Sequence, residues 1–294
     1  MQRPILKASR LFLYLFVGIL LVGCNNDDDN AIASQFEATN LPDDVSKLFV
    51  TKGNTSSKTV VIFAEGGPSD ELSADDLESI NLDGFTGFND FLRVYIHQIG
   101  TYNSNIFKFD ATVAEATRET DLNTEILDRV IKHYKSRDKV VFVIGHSYGA
   151  WAIARYIADK GNTSADKFVM MAGRLDIEQK VVDNLFKGNR YFFRDGVTLY
   201  NDPEERATDK ETELIYFYAG IMIKDRYTER IKATDLSNVI CVFANDDEQS
   251  GRMTASEKNF LKSKNVDLLE IDKGGHSIMF ETPYIQQIFD KITK

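Results

Sequence analysis

The sequence predicts an α/β fold built on a mostly parallel, doubly wound sheet. Short apolar runs rich in Val, Ile and Phe alternate with longer segments of helical periodicity, as strands buried on both faces require. At 294 residues with 43% hydrophobic side chains, the chain can bury one large core, so a single main domain suffices. One interval, 177–237, spans roughly sixty residues and exceeds any ordinary crossover, so it reads as a helical lid inserted into the sheet's wiring.

The strands follow in order over 59–64, 92–98, 139–144, 167–172, 238–244 and 266–271, each short and nearly continuous in apolar character. Between the second and third lies a helix over 111–134. Its Val113, Ala116, Leu122, Ile126, Leu127, Val130 and Ile131 recur at three-to-four spacing and form one face. Further helices are expected over 148–160, 254–264 and 282–292. The inserted interval is dense in aromatics (Tyr191, Phe192, Phe193, Tyr200, Tyr216, Phe217, Tyr218 and Tyr227), most of which must pack it onto the body.

The 45 acidic residues outnumber the 35 basic ones, giving a formal charge of -10, and no Lys/Arg cluster could neutralise a run of phosphates. Nucleic acid is therefore not an expected partner. Ahead of the folded region, Arg3, Lys7 and Arg10 precede an uncharged stretch, 11–23, too short to span a bilayer. It reads as a signal peptide. Its end, Leu21-Val22-Gly23-Cys24, resembles the lipobox of bacterial lipoproteins. That resemblance implies removal of 1–23, lipidation of Cys24 and membrane attachment in the cell envelope, with the outer membrane favoured and the protein facing the periplasm or the surface. Residues 24–40, opening Asn25-Asn26-Asp27-Asp28-Asp29-Asn30, then form a polar tether to the domain at 41–294. Cys241, the other cysteine, lies within an apolar strand as a small core residue, which leaves no cysteine for a disulfide framework or a metal site.

The chemistry is concentrated where the strand at 139–144 runs into Gly145-His146-Ser147-Tyr148-Gly149 and then into a helix. This is G-x-S-x-G in a strand-turn-helix context, which holds a serine on a turn too tight for side chains two positions away. The helix start also aims N–H groups at the place where an acyl oxyanion would form. After the strand at 59–64 comes Glu65-Gly66-Gly67-Pro68. Pro68 lacks an N–H, so Gly67 N–H pairs with Tyr148 N–H as the expected oxyanion hole. Of four histidines, His133 falls on a helix surface, and His146 is read as pointing away from the site. His97 ends a strand and stays open as a site residue. His276, in the glycine-bounded Gly274-Gly275-His276-Ser277, is the favoured base.

These motifs resemble the alpha/beta-hydrolase superfamily over 59–294, with the lid at the usual place. The resemblance implies the chain order nucleophile, acid, base, met by Ser147, Asp247 and His276. It also selects Asp247 over Asp246 and Glu248, because the acid commonly stands three residues after a small strand-ending residue, here Ala244. Within the superfamily, Gly66-Gly67-Pro68 together with the elbow is similar to the prolyl iminopeptidase branch. Glu65 and Ser69 depart from it, standing where that branch has histidine and glycine. The resemblance implies acyl transfer to water on a small ester or a short peptide, with no cofactor and no metal. The readings carried forward are an ester hydrolase, an iminopeptidase-like peptidase and a non-catalytic binding protein on the same fold. Arg174, just beyond a central strand, is a candidate to hold a substrate carboxylate, against an ion pair with Asp176 or another acid.

Overall fold

Seven strands form the main sheet among the residues that the computed structural model describes, which are 36–82, 85–201, 204 and 206–294. In chain order the elements are β1 (Phe49–Gly53), β2 (Thr59–Ala64), α1 (Ala74–Asn81), β3 (Leu92–Ile96), α2 (Ile99–Tyr102), α3 (Val113–Lys135), β4 (Val140–His146), α4 (Tyr148–Lys160) and β5 (Lys167–Met171). They continue with α5 (Gln179–Leu185), β6 (Tyr191–Arg194), β7 (Thr198–Asn201), α6 (Lys210–Ile223), α7 (Tyr227–Arg230), β8 (Val239–Ala244), α8 (Ala255–Ser263), β9 (Asp267–Ile271) and α9 (Tyr284–Thr293). The sheet order is β1-β3-β2-β4-β5-β8-β9, with β1 antiparallel to β3 and every other pair parallel.

Alternation along the strands divides the core into two layers. Val60 and Ile62 of β2, Val141 and Val143 of β4, and Phe168 and Met170 of β5 face one layer, which α3 and α4 close. Val61 and Phe63, Phe142 and Ile144, and Val169 and Met171 face the other, which Ile285, Ile288 and Ile292 of α9 cover. Cys241 is fully buried in the first layer, and burial pushes its thiol up to about 12, so it behaves as the core residue expected.

Several elements lie outside the expected set, among them the helices α1 and α2, an edge strand and a hairpin. β1 adds an antiparallel edge, and its half-exposed Phe-Val-Thr-Lys-Gly shows no apolar alternation to mark it. Inside the insertion, β6 and β7 form a hairpin beside the helices. Its turn, Asp195-Gly196, takes positive φ at both residues (51° and 69°), the backbone that Asp-Gly favours. Most insertion aromatics do pack inward: Phe193, Tyr218 and Tyr227 are buried, Tyr191, Tyr216 and Phe217 pack half-buried on the core clusters, and α6 joins Ile99, Ile106 and Phe107 in a third cluster. Residues 36–40, read from the sequence as the end of the tether, are anchored. Thr39 N donates to the buried Glu119 carboxylate (3.1 Å), and Phe36 packs on the third cluster. Residues 1–23, Cys24 and the acidic run lie outside the described residues. Among those described, no helix is long and apolar enough to cross a membrane.

Candidate active site

Ser147 sits between β4 and α4 at φ 53° and ψ −117°, a conformation costing about 1–3 kcal/mol for a non-glycine residue. Its surroundings hold it there. Ser147 N donates to Met171 O at the end of β5 (2.9 Å), and Ser147 O accepts from Ala150 N (2.9 Å). The two motif glycines are sterically required. A Cβ on Gly149 would overlap the carbonyl of Ala64, and one on Gly145 would overlap the Gly149 carbonyl. The elbow thus packs backbone against backbone with the end of β2.

Three consecutive acids after β8 hold the His276 loop. Asp247, 1% exposed, places both carboxylate oxygens 2.9 Å from His276 Nδ1. A carboxylate only accepts, so Nδ1 carries the hydrogen and Nε2 keeps its lone pair. Nε2 is buried and has no hydrogen-bond partner among the described residues, Ser147 Oγ included. Asp247 is itself fixed by Gln249 N and Ser250 N, both at 2.8 Å from Oδ1. Asp246 accepts from Gly274 N and Gly275 N (3.0 Å each), and Glu248 accepts from His276 N (3.1 Å). The hairpin braces this loop from outside, since Phe193 N donates to Glu248 O (2.8 Å) and Gly196 leaves no room for a side chain against Asn245 O.

His146 does not point away from the site. Its Nε2 lies 3.0 Å from His276 O, and its ring packs 4.8 Å from the His276 ring and 4.8 Å from Phe280. Burial, and then the neighbouring His276, hold its pKa at about 4, so at neutral pH it is a neutral donor linking elbow to base loop. His97 bonds Thr101 Oγ1 through Nδ1 (3.0 Å) and packs on Tyr102, which makes it part of the α2 turn. His133 packs on Phe49 and Tyr134 at the far side of α3.

Gly66 lies against the elbow; a Cβ built on it would be 3.5 Å from Ser147 Cβ. Gly67 follows, and Tyr148 opens α4 immediately after the serine, its side chain buried and its hydroxyl pKa raised by that burial. Beside this loop opens a cavity of about 320 Å³ lined by Glu65, Gly66, Ser69, Leu72, Leu77 and Gln98, with Asp70, Glu71 and Asp76 also on its wall.

Arg174 is 5% exposed, and its charge is balanced inside the protein. Its guanidinium meets Glu178 (3.0 Å) and the buried Glu257 (3.3 Å), donates to Asp176 O (2.8 Å) and lies 5.9 Å from the Phe193 ring centroid. The ion-pair alternative therefore describes it, with Glu178 and Glu257 as partners. The Asp176 carboxylate instead takes Thr228 Oγ1 (2.6 Å) and Arg226 (3.0 Å). Among the described residues no cluster of His, Cys, Asp and Glu could hold a metal ion.

A mostly parallel sheet flanked by helices, with the serine elbow after its central strand, is the alpha/beta-hydrolase fold. Solved structures bear this out: the chain is similar to a lipase-esterase related protein from Clostridium acetobutylicum (14% identity, TM-score 0.51, covering 83% of this chain and 97% of that one). It is similar also to a hydrolase from Oleispira antarctica (12% identity, TM-score 0.54, covering 84% and 96%) and to MenH from S. aureus (15% identity, TM-score 0.51, covering 84% and 96%). No protein-family model and no curated protein sequence matches the chain.

Proposed function

We propose that this protein is a serine hydrolase that cleaves a carboxylic ester by two-step acyl transfer. The observation that carries the reading is the Asp247–His276 pair, which leaves an unpartnered Nε2 on the base, together with a serine held at φ 53° on an elbow that adjoins it. In the first step Ser147 Oγ attacks the acyl carbon while His276 Nε2 takes its proton, and Asp247 stabilises the imidazolium. The N–H groups of Gly67 and Tyr148 receive the oxyanion. Collapse of the intermediate expels the alcohol, which leaves with the Nε2 proton. Water then attacks the acyl-serine by the same base, giving the carboxylic acid and restoring Ser147.

The cavity beside Gly66 suits one side of a small substrate, and the carboxylates on its wall disfavour an anionic group there. An ester is preferred to an amide because its leaving group needs less assistance from the enzyme. A panel of neutral chromogenic esters against aminoacyl anilides tests this: ester turnover supports it, and anilide turnover without ester turnover transfers the site to the peptidase reading. On the sequence alone, Cys24 is proposed to carry the lipid that holds the protein in the envelope membrane. Labelling with a palmitate analogue should disappear in Cys24→Ala, and equal labelling of mutant and parent would remove that proposal.

A further inference from the structure

We propose that Gln98 is a positioning residue for the oxyanion hole, an inference that rests on the hydrolase reading above. Gln98 follows β3 at the start of α2 and is 8% exposed. Its carboxamide is bonded on both sides to the loop after β2. Nε2 donates to Glu65 O (3.0 Å) and Gly66 O (2.6 Å), while Oε1 accepts from Ser69 N (3.2 Å). The amide also lies against Gly67, where an added Cβ would fall 2.9 Å from Nε2 and closer still to Oε1.

Peptide geometry turns these bonds into a directional effect. The peptide units 65–66 and 66–67 are trans, and in a planar trans peptide the C=O and the N–H point in opposite directions. Drawing the carbonyls of Glu65 and Gly66 towards Gln98 therefore turns the N–H groups of Gly66 and Gly67 away from it. Gly66 itself lies against Ser147, so N–H groups turned away from Gln98 are available to an oxyanion formed at the serine. Without the carboxamide, two carbonyls would lose a buried donor, and the loop could rotate them in place of the N–H groups.

Gln98 is held in turn. Its backbone N donates to Thr101 Oγ1 (2.9 Å), and the next residue, Ile99, donates its N–H to Asn123 Oδ1 of α3 (2.8 Å). Asn123 Nδ2 meets Thr120 O (3.0 Å) and Tyr148 OH (3.4 Å), and Tyr148 supplies the second oxyanion N–H. Both halves of the hole are thereby referred to one point on α3, Asn123, through the Ile99 N–H next to Gln98 and through the Tyr148 hydroxyl.

The test compares wild type with Gln98→Glu, which keeps the shape and the acceptor but loses both donors, and Gln98→Met, which loses all three bonds. Wild type is first scored for fluorophosphonate labelling at Ser147; its absence overturns the hydrolase reading, and this role with it, before any variant is made. With wild type active, kcat should fall roughly 10- to 100-fold in both variants while KM stays within about threefold, since the loss concerns the transition state. Affinity for a boronic acid, whose tetrahedral adduct places an oxygen in the hole, should weaken by a similar factor, and product inhibition should not change. Should Gln98→Met melt below the assay temperature, the isosteric Gln98→Glu decides alone. A kcat within about threefold of wild type overturns the role, as does a fall in kcat that leaves boronate affinity untouched.

Discussion

Replacing Gly149 by alanine adds one methyl group at the tightest backbone contact of the site. The new Cβ would lie 2.9 Å from Glu65 O and would overlap the Ala64 carbonyl outright. Ordinary C···O contacts stand at about 3.3–3.6 Å, so α4 and the end of β2 must separate by about 1 Å or more. Neither can yield cheaply: Ala64 is paired with Gly145 in the sheet, and Gly149 belongs to the first turn of α4. Overpacking of this kind costs about 1–3 kcal/mol, which for a chain this size lowers Tm by roughly 2–6 °C. The functional loss should be larger, because the displaced segments carry Ser147, Tyr148 and the Gly66-Gly67 loop, and a 1 Å misplacement can cost about 10²-fold in rate. The assay is kcat on a chromogenic ester, paired with a thermal melt. Gly161→Ala serves as control. It has positive φ (83°), but nothing lies within 4 Å of an added Cβ, so it should lose about 1–3 kcal/mol to backbone strain and no activity. If Gly149→Ala keeps half the wild-type kcat, the close packing of elbow and oxyanion loop does not matter to function.

The acids after β8 should separate by role: Asp247→Asn should lower kcat by about 10³- to 10⁴-fold, and Asp246→Asn and Glu248→Gln by no more than roughly tenfold, since they bind backbone N–H groups of the base loop. The reverse ranking on one ester would move the triad acid. His146 carries a pH signature. Its folded pKa of about 4 lies below the ordinary 6.5, so on acidification the unfolded chain takes the proton first. The stability this provides is complete above pH 6.5 and is lost as pH falls from 6.5 towards 4, at up to about 1.4 kcal/mol per pH unit. His146→Gln should flatten the fall in urea midpoint between pH 7 and 5; an unchanged slope would show that His146 titrates normally.

Much of the fold was legible because burial on both faces writes continuous apolar runs into central strands, and β2, β4, β5 and β8, as well as the partly exposed edge strand β9, appear within about two residues of their expected bounds. β3 stops at Ile96, short of the expected 98, because His97 N turns to Leu48 O and Gln98 opens a helix. The edge strand β1 left no such trace, being exposed along most of its length. The hairpin had a signal that the aromatic density of the insertion overshadowed: Asp195-Gly196 between Tyr-Phe-Phe-Arg and Val-Thr-Leu-Tyr is a strong hairpin mark. At the site, Ser147, Asp247 and His276 follow from motif and chain order, and the structure brings the last two together. The supporting residues were beyond reach. Gln98 meets Glu65 across thirty-three positions, His146 meets the His276 backbone across one hundred and thirty, and such polar contacts leave no periodic pattern.

The most direct test of the central claim is to treat the purified protein with a fluorophosphonate and map the adduct by mass spectrometry. Phosphonylation requires a serine activated by its own base, so the account predicts a single adduct on Ser147. It should be lost in Ser147→Ala and strongly slowed in His276→Ala, with ester hydrolysis falling in parallel by about 10³-fold or more. An unlabelled wild type, an adduct on another residue, or a Ser147→Ala variant that keeps more than a tenth of the parent's hydrolysis would contradict it.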